Sequence, residues 1–185
     1  MIKIISALLF FNLIFQTPLL ANTKEIELLQ EGGKVVFIRH AYAPGGGDPS
    51  NFLLNNCDTQ RNLNKDGIDQ SIMIGAIFRN YQIPIDQVLS SEWCRCLDTA
   101  KYAFGDFDIW SALNSTFSGI FKKNHSKQMS DLRKYLTNWD DEQGNLILVT
   151  HYVIIEGALD YYSDSGEIVI SNKHLEVLGN INTKY

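Results

Sequence analysis

Residues 34–39, Lys-Val-Val-Phe-Ile-Arg, form an apolar run between two basic residues, and His40 follows directly. An unbroken apolar run of this length is typical of a strand that is buried on both faces, as in a parallel sheet. Residues 145–150, Asn-Leu-Ile-Leu-Val-Thr, form a second such run, and His151 follows it directly. The sequence therefore predicts two buried strands, each with a histidine at its carboxyl end.

The rest of the chain alternates between helical and strand-like segments. Helical periodicity is found in four segments, 64–81, 92–104, 126–138 and 153–161. Further strand-like runs lie at 87–90, 107–110, 168–170 and 175–178. This alternation predicts an α/β fold, a three-layer α/β/α sandwich with a mostly parallel central sheet. No repeat or linker interrupts it, and residues 22–185 are predicted to form a single domain.

Basic side chains follow the predicted strands at the point where each strand ends. Arg39 and His40 end the first strand, Arg95 lies one turn into the helix after 87–90, and His151 ends a third strand. In open α/β sheets, ligands bind at the carboxyl ends of the strands. We therefore expect two arginines and two histidines at one rim of the sheet.

These residue types suit phosphoryl transfer. The reaction needs a nucleophile in line with the leaving oxygen and positive charge around the other phosphoryl oxygens. Arginine makes two parallel bonds to phosphate and stays charged, and a neutral imidazole can attack phosphorus when its other nitrogen is held. Two arginines and two histidines suffice without a metal. The cysteines and histidines lack the spacing of zinc ligands, so a zinc site is not expected. No other metal and no organic cofactor is implied.

Four segments, in this order, resemble the motifs of the histidine phosphatase superfamily, which includes the phosphoglycerate mutases. Residues 39–41, Arg-His-Ala, resemble its Arg-His-Gly/Ala signature. Residues 61–70 are similar to Arg-x-Leu-Thr-x-x-Gly-x-x-Gln, and 90–100 to Ser-Ser-Pro-x-x-Arg-x-x-x-Thr-Ala. Residues 149–151, Val-Thr-His, match the strand that carries the second histidine. With its Ala-Pro-Gly-rich loop, the chain looks like a small exported bacterial branch.

The resemblance implies a phosphoglycerate mutase-like fold and a phosphatase that forms phosphohistidine on His40. It implies that Arg39, Arg95 and His151 bind the phosphoryl group, and that water then releases phosphate. Arg61 is expected either to orient the pocket from behind or to form a surface ion pair. Departures from the family pattern are Asn64 in place of the usual Thr and Tyr152 in place of the commonest Gly.

The general acid has no evident candidate at its usual place. In mutase-like members of the family a Glu or Asp after the third strand protonates the leaving oxygen, but residues 110–114 here read Trp-Ser-Ala-Leu-Asn. Replacements are Asp48 and Asp58 in the loop after the first strand, and Glu156 after His151. Asp48 is preferred, because a glycine-rich loop could bring it over the site. The alternative is that all three are solvated charges.

Three cysteines, Cys57, Cys94 and Cys96, lie within the predicted domain. Residues two apart on a helix point in different directions, so a disulfide would join Cys57 to either Cys94 or Cys96. Three buried thiols are the alternative.

The first 21 residues have the pattern of a signal peptide. Lys3 precedes an apolar segment, and Pro18 and Ala21 suit cleavage after Ala21. This predicts export, with the periplasm as the expected compartment and no membrane insertion after cleavage. An uncleaved membrane anchor is the alternative. The formal net charge of -5 argues against broad binding to nucleic acid or to anionic lipid.

These features together predict an exported phosphomonoesterase that acts on a small phosphorylated substrate, such as a sugar phosphate or an envelope lipid phosphate. One alternative is a phosphohistidine protein phosphatase, which the small size and the missing acid favour. Another is a non-catalytic module that binds phosphate in the same fold.

Overall fold

The two apolar runs form neighbouring parallel strands in the middle of a six-stranded sheet. The computed structural model describes residues 23–117 and 119–184. The predicted signal peptide, residues 1–21, lies outside these residues. Within the two described ranges, no helix is long and apolar enough to cross a membrane.

Eleven helices and strands are numbered here in chain order. The helices are α1 (Thr23–Gln30), α2 (Lys65–Asn80), α3 (Cys94–Phe104), α4 (His125–Asn138) and α5 (Tyr152–Leu159). The strands are β1 (Val35–Arg39), β2 (Ile85–Ser90), β3 (Asp108–Ile109), β4 (Asn145–Thr150), β5 (Ile168–Ser171) and β6 (Val177–Ile181). Short 3₁₀ turns cover Cys57–Thr59, Ser111–Leu113 and Gly119–Asn124.

The sheet has the order β3-β2-β4-β1-β5-β6. The pairs β2–β3, β2–β4 and β1–β4 are parallel, whereas β5 pairs antiparallel with both β1 and β6. Alternate residues of β1 belong to two hydrophobic cores, one on each face of the sheet. Val36 and Ile38 pack with α1, α2 and α3, whereas Val35 and Phe37 pack with α4 and α5. Both faces are thus covered, which is why the run has no polar alternation. The predicted α/β/α sandwich with a mostly parallel sheet is confirmed.

Some element boundaries differ from the sequence prediction. Helix α1 was not predicted, and β3 has two residues where four were expected. The last strand begins at Val177 rather than at Leu175, because residues 172–176 form a turn. There the Asn172 side chain accepts hydrogen bonds from the backbone N–H groups of His174 and Glu176, and Leu175 has a positive φ of 67°.

The start of α2 packs directly against the loop that follows β1. The side chain of Asn64 accepts a hydrogen bond of 3.0 Å from the N–H of Gly67, which confirms the predicted helix cap. A Cβ atom on Gly67 would lie 2.0 Å from the carbonyl oxygen of Tyr42. Glycine is therefore required where the helix approaches this loop so closely, and the contact helps to position the residues after His40.

A disulfide joins Cys57 to Cys94, and Cys96 is a free, buried cysteine. The bond links the turn at 57–59 to the start of α3. Gln60 strengthens the same junction, because its side-chain oxygen accepts a hydrogen bond of 3.0 Å from the N–H of Cys94. The long loop after β1 is therefore held against the helix that carries Arg95.

Candidate active site

The carboxyl ends of β1, β2 and β4 bring three of the predicted site residues together. His40 follows β1, His151 follows β4, and Arg95 lies in the first turn of α3 after β2. Both histidines are buried, and their ring centroids are 5.4 Å apart with an angle of 66° between the planes. The sheet order explains this proximity, because β4 lies between β1 and β2.

The imidazole of His40 is held in one tautomer. Its Nδ1 lies 2.8 Å from the carbonyl oxygen of Ala41, and since a carbonyl can only accept, Nδ1 must carry the proton. The other ring nitrogen, Nε2, then has a free lone pair when the ring is neutral. Burial and the charge of Arg95 lower the pKa of His40 well below 6.5, so the ring is neutral at pH 7.

His151 is oriented by a chain of polar contacts. Its Nε2 lies 3.0 Å from the hydroxyl of Ser91, which donates a bond of 3.1 Å to Oδ1 of Asn114. Its Nδ1 lies 3.5 Å from a guanidinium nitrogen of Arg95, which can only donate. Neutral His151 therefore carries its proton on Nε2. Burial, followed by the charge of Arg95, lowers the pKa of His151 well below 6.5.

Three arginines surround the same cavity. Arg39 donates a bond of 2.7 Å to the carbonyl of Ser163, and Arg61 donates to the carbonyl of Ala43. Nε is buried and lacks a hydrogen-bond partner among the described residues in all three arginines, Arg39, Arg61 and Arg95. All three arginines line the cavity, where their guanidinium groups supply positive charge and N–H donors that suit an anion. The site thus has the donors of an anion-binding pocket.

Asp48 lies at the site as a hydrogen-bond acceptor. It accepts bonds of 2.8 and 3.3 Å from the guanidinium of Arg95, 3.1 Å from the indole N–H of Trp93 and 3.1 Å from the backbone N–H of Arg61. Burial alone would raise the pKa of Asp48, but the charge of Arg95 and these bonds bring the pKa below its usual 3.8. In this arrangement Asp48 holds no proton to donate at pH 7.

The other two acid candidates lie elsewhere. Asp58 is exposed in the turn at 57–59, where its backbone N–H donates to the side chain of Asn56. Glu156 is half-buried on α5. Neither lines the cavity, and of the described residues that do, Asp48 alone carries a carboxylate. Among the described lining residues, no protonated carboxyl group is therefore available to act as the general acid.

The cavity has a volume of about 1010 Å³. Its lining contains three arginines and one aspartate, so with both histidines neutral the lining carries a net charge of +2. The whole chain has a formal charge of -5, and the positive charge is therefore local to this cavity. A phosphate dianion is opposite in sign and equal in size to this charge. In the described part of the chain, no cluster of residues has the composition of a metal site.

Several residues that build the site were missed by the sequence analysis. The hydroxyl of Ser91 contacts His151 and also accepts a hydrogen bond from the backbone N–H of Trp93. Asn114 links that serine to Glu92, with bonds of 3.1 Å and 2.5 Å. Thr99 accepts a bond of 2.9 Å from the N–H of Ala41 and so fixes the turn after His40. Within residues 90–100, the Ser-Ser and Thr-Ala pairs that resemble the family motif were the signals for Ser91 and Thr99, and Asn114 had none.

The two buried histidines predict a pH dependence of stability. In the folded state their pKa values lie well below 6.5, so the unfolded chain takes up more protons as the pH falls below 6.5. Stability is then lost from pH 6.5 downward toward the lowered pKa values, by up to about 1.4 kcal/mol per pH unit for each histidine. Urea unfolding at pH 7.5, 6.5 and 5.5 measures this slope.

The matched variant is the His40→Asn/His151→Asn double replacement, whose unfolding free energy should depend less steeply on pH. His174→Asn is the control, because His174 is exposed. The unfolding free energy of this variant should depend on pH as steeply as that of the wild type. Equal slopes for the double variant and the wild type would show that the histidines are not buried in the neutral form.

No protein-family model and no curated protein sequence matches the chain. Solved structures do match. The structure of the protein histidine phosphatase SixA complexed with tungstate aligns with a TM-score of 0.54 at 11% identity, covering 81% of this chain and 97% of that chain. A putative phosphohistidine phosphatase SixA from Agrobacterium tumefaciens aligns with a TM-score of 0.53 at 18% identity, covering 80% and 97%. A phosphoglycerate mutase from Thermus thermophilus aligns with a TM-score of 0.54 at 14% identity, covering 80% and 98%.

At these identities the likeness shows a common fold. The chain has the phosphoglycerate mutase-like α/β fold, and its candidate site lies at the carboxyl edge of the parallel strands.

Proposed function

We propose that the protein is a phosphatase of the histidine phosphatase superfamily, which hydrolyses a phosphomonoester through a phosphohistidine on His40. One observation carries the proposal: His40 is neutral, its Nδ1 is held by Ala41, and it lines a cavity whose lining has a net charge of +2. This combination supplies both a nucleophile and an anion site. Tungstate, a tetrahedral oxyanion, in the similarly folded SixA structure supports it.

The chemistry takes two steps. Nε2 of His40 attacks phosphorus, the bond between phosphorus and the leaving oxygen breaks, and that oxygen takes a proton from solvent. Water then attacks the phosphohistidine, the N–P bond breaks, and its electron pair returns to Nε2, giving inorganic phosphate. Nδ1 keeps its proton on the carbonyl of Ala41 throughout. Arg39 and Arg95 stabilise the charge on the phosphoryl oxygens in both steps.

His151 has a complementary role in this proposal. It is neutral beside three arginines, and a phosphoryl dianion would offset their charge and favour protonation of Nδ1. The protonated ring would then donate to a phosphoryl oxygen. Ser91 keeps the ring in the orientation that this requires.

A second candidate is a phosphohistidine protein phosphatase. The absence of a protonated carboxyl group from the described lining favours it, because an imidazole leaving group needs less help from an acid than an alkoxide does. The fold shared with SixA points the same way. Parallel assays on alkyl phosphates and on phosphohistidine peptides distinguish the two substrates.

Export to the periplasm remains part of the proposal. It rests on the pattern of residues 1–21 and is consistent with the Cys57–Cys94 disulfide, since disulfides persist in oxidising compartments.

Pre-steady-state kinetics test the covalent mechanism. On mixing with para-nitrophenyl phosphate, we expect a burst of nitrophenol close to one equivalent per enzyme, followed by slower turnover. The protein quenched in alkali should carry phosphate in a bond that is stable to base and labile to acid. Millimolar vanadate should abolish turnover. Hydrolysis that forms no phosphoenzyme would exclude the phosphohistidine route, and phosphate binding without hydrolysis would identify a non-catalytic module.

A further inference from the structure

The mouth of the active-site cavity carries a group of exposed apolar side chains. Eleven large hydrophobic residues are exposed in the described part of the chain, and four of them line this cavity. These four are Tyr42, Leu53, Phe117 and Ile120, with exposed fractions of 45%, 55%, 54% and 73%. Exposed apolar side chains that gather around one cavity mark a binding surface rather than chance exposure.

An apolar wall connects this mouth to the histidines. The rings of Trp93 and Phe52 are stacked at 5.4 Å, and Phe121 meets them edge-on at 5.1 and 5.9 Å. Trp93 also packs edge-on against His151 at 5.3 Å. A chain attached to a phosphate beside His151 could therefore follow aromatic surface outward to Leu53 and Ile120.

The polar part of the lining is poorly suited to a sugar. Apart from the arginines and histidines, its polar side chains are Asp48, the two tyrosines and three serines, Ser50, Ser115 and Ser165. Both oxygens of Asp48 already accept hydrogen bonds from Trp93 and Arg95. The described lining contains no Asn, Gln, Glu or Lys. Beyond the phosphate, a polyol would exchange its water for hydrogen bonds to the tyrosine and serine hydroxyls, and each hydroxyl group left unpaired would cost binding energy.

Resting on the phosphatase activity proposed above, we propose that the substrate is a phosphomonoester of a long-chain aliphatic alcohol, as in lipids. The phosphate dianion binds among Arg39, Arg95 and the histidines, and the chain lies along the aromatic wall and the apolar mouth. The 1010 Å³ volume leaves space for such a chain beyond the phosphate. This selects the lipid phosphate over the sugar phosphate among the substrates that the sequence suggested.

A series of alkyl phosphates below their micelle concentrations tests the proposal. For a half-buried chain we expect kcat/KM to rise about twofold per methylene group, which is roughly 60-fold over the six methylene groups from ethyl to octyl phosphate. Two pairs match carbon number and compare an alkyl group with a polyhydroxylated one: propyl phosphate with glycerol 3-phosphate, and hexyl phosphate with hexose 6-phosphate. In each pair the alkyl ester should be the better substrate. A flat series, or a faster hexose phosphate, would overturn the proposal.

Two isoleucine variants test whether the alkyl chain binds at the mouth of the cavity. Ile120→Ser at the mouth should lower the ratio of kcat/KM for octyl over ethyl phosphate about fivefold, mainly by raising KM for the octyl ester. Ile109→Ser is the matched control, because Ile109 is 58% exposed on β3 and lies outside the cavity lining. It should leave the ratio unchanged. Equal ratios in Ile120→Ser and the wild type would contradict binding of the chain at this mouth.

Failure of the mechanism and failure of this substrate class give different results. The nitrophenol burst and the vanadate inhibition report on His40 and the arginines without needing a long chain. A burst with a flat alkyl series would refute only the lipid phosphate and leave the phosphatase standing. Absence of the burst and of all hydrolysis would remove the phosphatase, and the substrate proposal with it.

Discussion

We expect the His40→Ala variant to lose at least about 10⁴-fold in kcat on para-nitrophenyl phosphate, because the replacement removes the only atom that forms the covalent intermediate. The aryl leaving group needs little protonation, so the result does not depend on a general acid. The loss should hold at every pH between 5 and 8. Initial rates and the nitrophenol burst are the measurements, and the variant should show no burst.

Two comparisons make the His40 result specific. His174→Ala changes an exposed histidine away from the cavity and should retain wild-type activity. Circular dichroism and the melting temperature must show that His40→Ala folds, because His40 is buried. A folded variant that keeps more than a few per cent of the wild-type rate would show that another group is the nucleophile.

The Arg95→Met variant should lose about 10³-fold in kcat/KM, the second largest effect that the structure predicts. Arg95 is buried beside both histidines and carries charge that the phosphoryl oxygens need in the transition state. Methionine approximates the length of the side chain without its charge. Vanadate affinity should fall as well, and inhibition curves with vanadate measure this.

Arg95→Lys separates charge from geometry. Lysine keeps the charge but cannot make two parallel bonds, so we expect an intermediate loss. Arg133→Met is the control, because Arg133 is exposed on α4. If Arg95→Met kept wild-type vanadate affinity while remaining folded, the anion would have to bind elsewhere in the cavity.

The ion pair between Asp48 and Arg95 affects the stability of the Arg95→Met variant. Asp48 holds the guanidinium through two bonds, so it positions the arginine at the site. Burial of the pair makes removal of either partner costly, because the other charge is left uncompensated. The activity of Arg95→Met is therefore best compared at a temperature where both proteins are fully folded.

Local pattern was sufficient to predict much of the fold. A strand that is covered on both faces is apolar along its interior. Residues 35–38 and 146–149 are apolar throughout, and a charged or polar residue flanks each run at both ends. Their parallel pairing follows from the helices between them, and the rule for open α/β sheets then places His40 and His151 at one edge. The edge strands were less predictable. Strand β3 makes only two register pairs, and a turn displaces the start of β6 to Val177.

The sequence by itself determined the sheet, the helices around it and the two histidines that end its central strands, because hydrophobic periodicity is a local property. Only the tertiary structure decided which distant side chains meet. Cys57 had equivalent partners in Cys94 and Cys96 until the loop was placed. Asp48 became a hydrogen-bonded carboxylate rather than an acid because Arg95, 47 residues away, lies beside it. Such contacts depend on loop paths that hydrophobic patterning does not encode.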